Sequence, residues 1–151
     1  TRFFFLMRAP GTHLEFDLDL AKEASEKNPV FYLQYAHARI ASIKRKAQEI
    51  NLRINGNADL SVLTHPSEAA LIRILMQFPE VVRVAAERRA PHRLPGYLRE
   101  VATAFSTFYH DCRIVGEERA VAGARLALAE ATRRALENGL TILGVKAPSR
   151  M

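Results

Sequence analysis

The sequence predicts an all-α helical bundle with a short extended segment at its N-terminus. Three observations carry this expectation: apolar residues at three- and four-residue spacing within 29–50, an alanine-rich run with the same period within 117–137, and short links rich in Pro, Gly and Asn between them. A length of 151 residues, 48% of them apolar and spread along the chain, is enough for one domain with a real core.

The chain opens on Thr1-Arg2-Phe3-Phe4-Phe5-Leu6-Met7, read as a short buried strand or a segment leaning on another body. No start methionine precedes it, so a piece of a longer protein is expected. A helix is predicted over about 14–26, with Leu14, Leu18 and Ala21 along one side and Asp17 and Asp19 in its electropositive first turn. Asn28-Pro29 then pairs a capping side chain with a proline suited to a first helical position. The helix it opens, about 29–50, carries the seam Leu33, Ala36, Ile40, Ile43, Ala47, Ile50. A second line holds Tyr32, Tyr35, Arg39, Ser42 and Lys46, either a ligand-facing stripe or the solvated border of the core.

Residues 51–62 are read as a loop turning at Asn55-Gly56-Asn57. Thr64-His65-Pro66-Ser67-Glu68 opens a helix to about Gln77, and Pro79 starts the next, with Val81, Val82 and Ala85 inward. Arg88 to Arg93 forms a basic link, and Pro95-Gly96 leads into a helix over about 97–110. Gly116 precedes the last long helix, about 117–137, with the seam Val121, Ala124, Leu128, Ala131, Ala135; Asn138-Gly139 is read as its stop.

The net charge is +6, with 10 Lys/Arg against 8 Asp/Glu in residues 1–75 and 12 against 8 in 76–151. A folded basic domain attracts polyanions, though it is also compatible with a merely basic protein. A single cysteine, Cys112, excludes an internal disulfide and suggests a cytoplasmic setting; no apolar run is long enough for a membrane span. His13, His37, His65, His92 and His110 are scattered without metal-ligand spacing, Cys112 has no C-x-x-C partner, and no glycine-rich phosphate loop is present. Asp17 and Asp19 diverge on a helix, and His110 and Cys112 do not face each other. A self-sufficient hydrolase or metal enzyme is therefore disfavoured, and catalytic and metal residues are expected to be none. His37, between two alanines in a long helix, is read as a semi-buried hydrogen-bonded residue in preference to a ligand contact.

Residues 28–39, Asn-Pro-Val-Phe-Tyr-Leu-Gln-Tyr-Ala-His-Ala-Arg, resemble the NPVYYVQYAHAR-like motif of arginyl-tRNA synthetases, and Phe16-Asp17-Leu18-Asp19-Leu20-Ala21 resembles that family's FDLDLA stretch. The end is similar too: Ala127-Leu128, Ala131, Asn138-Gly139-Leu140, Leu143-Gly144 and Ala147-Pro148-Ser149-Arg150-Met151, with Ser149 where the family often has glutamate. The resemblance covers essentially the whole chain and is to the C-terminal anticodon-binding domain named for an Asp-Ala-Leu-Arg signature, of which Gly123 to Leu128 is a looser version. It implies a junction segment over 1–27 and the anticodon-binding domain over 28–151. It implies a tRNA(Arg) partner and catalytic and N-terminal domains of the same enzyme, which would use ATP and Mg²⁺ to join arginine to tRNA. The HIGH and KMSKS-like motifs of that reaction do not occur here. A monomer without membrane attachment is expected.

Carried over by position, the family's anticodon contacts fall on Tyr97, Tyr109, Arg113 and Met151; some relatives hold tryptophan where Arg113 stands. Unpaired bases stack on aromatic rings and guanidinium planes, and Tyr109 and Arg113 would share one side of a continuing helix. Arg88, Arg89, Arg93 and Arg125, with Arg133 and Arg134 behind them, are candidates for phosphate contacts. Tyr32, Tyr35, His37 and Arg39 are expected at the junction with the catalytic domain. The competing expectation is a protein-docking bundle that uses Tyr32, Tyr35 and Phe3–Phe5 without direct RNA contact.

Overall fold

The computed structural model describes residues 2–9, 11–13, 16–54 and 58–151, and among them every regular element is helical. The helices are α1 (Arg2–Leu6), α2 (Leu18–Lys22), α3 (Pro29–Glu49), α4 (Pro66–Met76), α5 (Phe78–Glu87), α6 (Arg93–Asp111) and α7 (Arg119–Ile142), with a 3-10 turn at Leu60–Val62. The predicted bundle is observed; the predicted turn at Asn55-Gly56-Asn57 lies outside the described residues.

α3 forms as its sequence dictates. The Asn28 side chain accepts from the Val30 and Phe31 amides, Pro29 takes the first helical position, and Leu33, Ala36, Ile40, Ile43 and Ala47 are buried. The cap contributes about 1 kcal/mol, and each buried large aliphatic of the seam about 1.5–3 kcal/mol. Ile50, the last residue of the expected seam, is exposed because the helix has ended: Asn51 turns left-handed (φ 55°), and the Leu52 amide returns to the Ala47 carbonyl.

α6 is the hub. It packs against α3, α4, α5 and α7, and buries Leu94, Leu98, Val101, Ala102, Phe105 and Phe108. It begins four residues before the expected start, because Pro95 falls in its first turn, where a missing amide costs nothing. His65 caps α4, with Glu68 returning to the His65 amide in a capping box.

Three expectations are corrected. The Phe3–Met7 run is no strand: Arg2–Leu6 is helical, Phe3 is buried in the core, and Phe5 stacks on Phe16 at 5.7 Å. Of the predicted 14–26 helix, Leu18–Lys22 is helical among the described residues, with Asp17 as its cap and Leu18 exposed; residues 14 and 15 lie outside them. Asn138-Gly139 does not stop α7. Gly139 is still helical, buried in the last turn of α7 where Leu98 of α6 crosses, so close that a methyl group there would collide with the Leu98 side chain. The stop is Gly144, left-handed at φ 67°, with the Val145 amide bonded to the Leu140 carbonyl and the Gly144 amide to the Thr141 carbonyl. Within α7 the buried face runs through Ala122, Ala124, Leu126, Leu128, Ala129, Ala135, Leu136 and Leu140, and Ala131 of the expected seam is exposed.

Candidate nucleic-acid interface

α6 ends at Asp111 and Cys112 is extended (φ −120°, ψ 114°), so Arg113 stands on a loop. The expected helical alignment of Tyr109 with Arg113 is therefore not present. Arg113 is exposed while Cys112 and Ile114 on either side are buried, which gives the loop two apolar anchors. A third anchor is ionic. Nη1 of Arg125 donates to the Arg113 carbonyl at 2.7 Å, and Nε of the same residue donates to Oε1 of Glu68 at 2.6 Å. Glu68 is fully buried, and its other oxygen accepts from the His65 amide at 2.7 Å. Arg125 is thus engaged inside the fold, with Glu117 as a further partner at 3.6 Å.

The aromatic candidates separate. Tyr97 is 5% exposed and donates its hydroxyl to the Ile74 carbonyl at 3.0 Å, and its ring lies against Phe78 at 5.9 Å. Burial, with Glu100 nearby, pushes its phenol up to about 12. A ring closed into the α4–α5–α6 packing offers no face to a base, so Tyr97 is a core residue. Tyr109 is half-buried, stacked on Phe105 at 5.9 Å, and carries the Arg39 guanidinium 4.7 Å from its ring centre. Its stacking contacts are made within the chain. What it presents outward is Arg39, an exposed cation held by its ring.

The C-terminal tail lies along α3. Gln34 donates to the Lys146 carbonyl at 2.8 Å, His37 Nδ1 meets the Pro148 carbonyl at 2.8 Å, and Arg45 donates to the Ser149 carbonyl at 3.2 Å. Met151, beyond these tethers, is 56% exposed. His37 is 1% exposed and is therefore an internal residue of this domain, not a junction residue. Its Nε2 lies 3.1 Å from Nη1 of Arg133.

Arg133 belongs to a second ionic group. Glu130, buried on α7, meets Arg133 at 3.0 Å, Lys44 at 3.3 Å and Arg134 at 3.3 Å, and Arg133 reaches Glu137 at 3.0 Å. Burial pushes the Glu130 carboxyl up, but Arg133, helped by Lys44 and Arg134, outweighs it and holds the group at about 2. Neither Glu68 nor Glu130 stood out in the sequence. The spacing of Glu130 to Arg133, Arg134 and Glu137 is legible as a helical charge ladder, but its burial is not.

The basic link is exposed. Arg88, Arg89 and Arg93 form no ion pair among the described residues, and Arg89 is left-handed at φ 50°, a conformation that suits glycine or asparagine better. Arg93 shares a shallow groove with Glu80 and Glu100, which weakens its pull on an anion. Tyr35 is exposed and stacked on Phe31 at 6.4 Å; Tyr32 is half-buried, its hydroxyl 3.5 Å from that of Thr103, in a cleft with Phe4, Leu20 and Arg99. Cys112 is buried beside Ser67, and burial raises its thiol. Among the described residues, no group of His, Cys, Asp and Glu is placed to hold a metal, and no helix is long and apolar enough to cross a membrane.

Comparison with known proteins places this arrangement. The description "DALR anticodon binding domain" matches residues 33–151. Over 151 residues the chain is 60% identical to the arginine–tRNA ligase of Salinibacter ruber, and over 152 residues 51% identical to that of Symbiobacterium thermophilum. These alignments cover 100% and 99% of the chain but 27% of each relative, so the chain spans about a quarter of their length. The Thermus thermophilus arginyl-tRNA synthetase superposes with a TM-score of 0.84 at 34% identity, covering 99% of this chain and 26% of that one. The Plasmodium falciparum arginyl-tRNA synthetase shares the fold, with a TM-score of 0.76 at 22% identity, covering 99% of this chain and 26% of that one. The match over 33–151 takes in most of the chain, and the chain belongs to the DALR anticodon binding domain family.

Proposed function

We propose that the chain recognises the anticodon of tRNA(Arg) as the C-terminal part of an arginine–tRNA ligase. Attachment of arginine, with ATP and Mg²⁺, would belong to a catalytic body outside this domain. The observation that carries the reading is that two exposed groups at the expected positions, Arg113 and Met151, each stand on an immobilised stretch of backbone. Preorganised contacts lose little entropy on binding, which lets a few side chains discriminate between bases. Arg113 offers a guanidinium plane and Met151 a polarisable apolar end to unpaired bases. Arg39, supported by Tyr109, joins them as a cation for stacking or phosphate.

Arg88 and Arg89 are assigned to the tRNA backbone, with Arg93 the weaker member beside its two glutamates. The strain at Arg89 favours this: a left-handed arginine costs about 1–2 kcal/mol that glycine would not, and such outliers concentrate at functional sites. The domain boundary is drawn at Asn28, whose amide donates back to the Ala21 and Glu23 carbonyls while its oxygen caps α3. Phe31, Tyr35 and the cleft at Tyr32 form an aromatic face suited to the catalytic domain of the same enzyme, with Arg39, one turn beyond Tyr35, at its border with the RNA-binding surface.

The test is a binding titration with a labelled tRNA(Arg) anticodon stem-loop and hairpins of altered anticodon. Arg113→Glu is expected to weaken the matched hairpin about 5- to 150-fold, the equivalent of about 1–3 kcal/mol for a lost stacked base. Arg89→Gly is expected to weaken all hairpins alike while raising thermal stability. Equal affinity for every anticodon defeats the recognition reading.

A further inference from the structure

The C-terminal tail is held by side chains of a single helical stripe. Gln34 and Arg45 are eleven residues apart, three turns of α3, and fall on nearly the same side of the helix, with His37 beside them. The tail runs parallel to α3, since Lys146, Pro148 and Ser149 meet residues of increasing number. Two of the three tethers come from exposed or part-exposed side chains; the third, His37, is buried.

The protonation pattern of His37 follows from its partners. Arg133 can only donate, so His37 Nε2 accepts from it. The proton of the neutral ring then sits on Nδ1, where it donates to the Pro148 carbonyl. Pro148 has no amide of its own, so this carbonyl is its one backbone hydrogen-bonding group. Arg133 is in turn fixed by Glu130 and Glu137. The order of contacts is thus α7 carboxylates, Arg133, His37, tail.

We infer that His37 is a positioning residue for anticodon recognition: with its tautomer set by Arg133, it fixes the Pro148 carbonyl and so the place of Met151. Its contribution to RNA binding rests on the function proposed above; the clamp on the tail does not. His37 touches no base in this account and acts through the last three residues of the chain.

The test uses the 151-residue chain labelled at methionine methyl groups with ¹³C. Three methionines, Met7, Met76 and Met151, give three signals. His37→Ala and His37→Gln are expected to narrow the Met151 signal and move it toward that of a free side chain, with Met7, Met76 and helical circular dichroism unchanged. Affinity for the matched anticodon stem-loop should fall about tenfold. His37→Asn, which sets an amide donor near the Nδ1 position, should recover a large part of both. In the wild type, long-range ¹⁵N–¹H spectra should show His37 as the Nδ1–H tautomer. If His37→Ala fails to fold, the pair Gln34→Ala and Arg45→Ala leaves His37 as the remaining tether and should keep the Met151 signal near its wild-type position.

A Met151 signal unmoved by loss of the His37 side chain, or released by the Gln34→Ala and Arg45→Ala pair with His37 in place, overturns the clamp, as does an Nε2–H tautomer. A released Met151 with unchanged hairpin affinity overturns the positioning role. If the wild-type chain binds no anticodon hairpin, the functional reading falls, and the methyl and tautomer measurements still decide the clamp.

Discussion

Two buried carboxylates steady the two backbone stretches that carry Arg113 and Met151, and they do so differently. Glu68 has one cation. Its side chain is 1% exposed, Arg125 is 14% exposed, and the pair binds the start of α4, the body of α7 and the loop that carries Arg113. Glu130 has three cations, of which Arg134 is 71% exposed and Lys44 36% exposed, and it binds α3, α7 and, through Arg133 and His37, the tail. In the first, among the described residues, Arg125 is the one cation on the buried Glu68, and Arg125 itself reaches a second, more exposed carboxylate, Glu117, at 3.6 Å. The second is a shared charge at the edge of solvent, where water and the remaining cations compensate for any loss. Burial makes the Glu68 pair costly to break, and redundancy of cations cushions the Glu130 site.

The largest expected effect is at the dry pair. Glu68→Ala leaves the Arg125 guanidinium buried without its carboxylate and also removes the α4 capping box. Arg125→Ala leaves Glu68 equally stranded. Each should cost about 3–5 kcal/mol, a fall in Tm of roughly 6–20 °C for a chain of this size. Arg125→Lys should recover only part, because a point charge replaces a fork that serves Glu68 and the Arg113 carbonyl together. Thermal unfolding followed by circular dichroism reads this directly. A loss below about 1 kcal/mol, typical of an exposed pair, would erase the distinction between the two sites.

How much of this was legible in the sequence depends on whether a signal was local. The Asn28-Pro29 cap and the α3 seam were, because capping and periodicity act within a few residues, and both are observed. Glu68 and Arg125 are 57 residues apart, and only the packing of α4 against α7 brings them together. Arg125 therefore read as a solvated cation free for phosphate. Gly139 misled for the opposite reason. Asn-Gly is a good local stop signal, but here the missing side chain serves the α6–α7 crossing, and the stop falls to Gly144. Tyr97 was carried over from the family resemblance, which matches positions without their depth; its hydroxyl is turned to the Ile74 carbonyl. Arg113 and Met151 are exposed as expected, yet what steadies them, Arg125 in one case and His37 in the other, had been assigned other roles.

Acid should test the Glu130 site in the next most visible way. Glu130 is held at about 2, below its ordinary 4.5. A depressed native pKa stabilises the fold at all pH values above the unfolded one, and that stabilisation drains away as pH falls from about 4.5 toward 2. The quantity is of order 2 kcal/mol. Urea unfolding across this range should show a steeper loss in the wild type than in Glu130→Gln, whose curve lacks this contribution. Parallel curves would mean that Glu130 draws little from its three cations, and the shared-charge description would fail.

The smallest effects sharpen the comparison most. Lys44→Ala and Arg134→Ala each remove one of three partners from Glu130 and leave Arg133 in place. Each should cost no more than about 1 kcal/mol, the range of exposed pairs, and added salt should shrink the cost further. The informative quantity is their combination. If the cations share one carboxylate, the first loss is buffered by the second cation, and Lys44→Ala with Arg134→Ala together should cost more than the sum of the two alone. Additivity within about 0.3–0.5 kcal/mol would mean independent contacts. In that case redundancy would not explain why the tail-bearing side tolerates exposed cations around its buried carboxylate, while the Arg113 side keeps Arg125 largely buried.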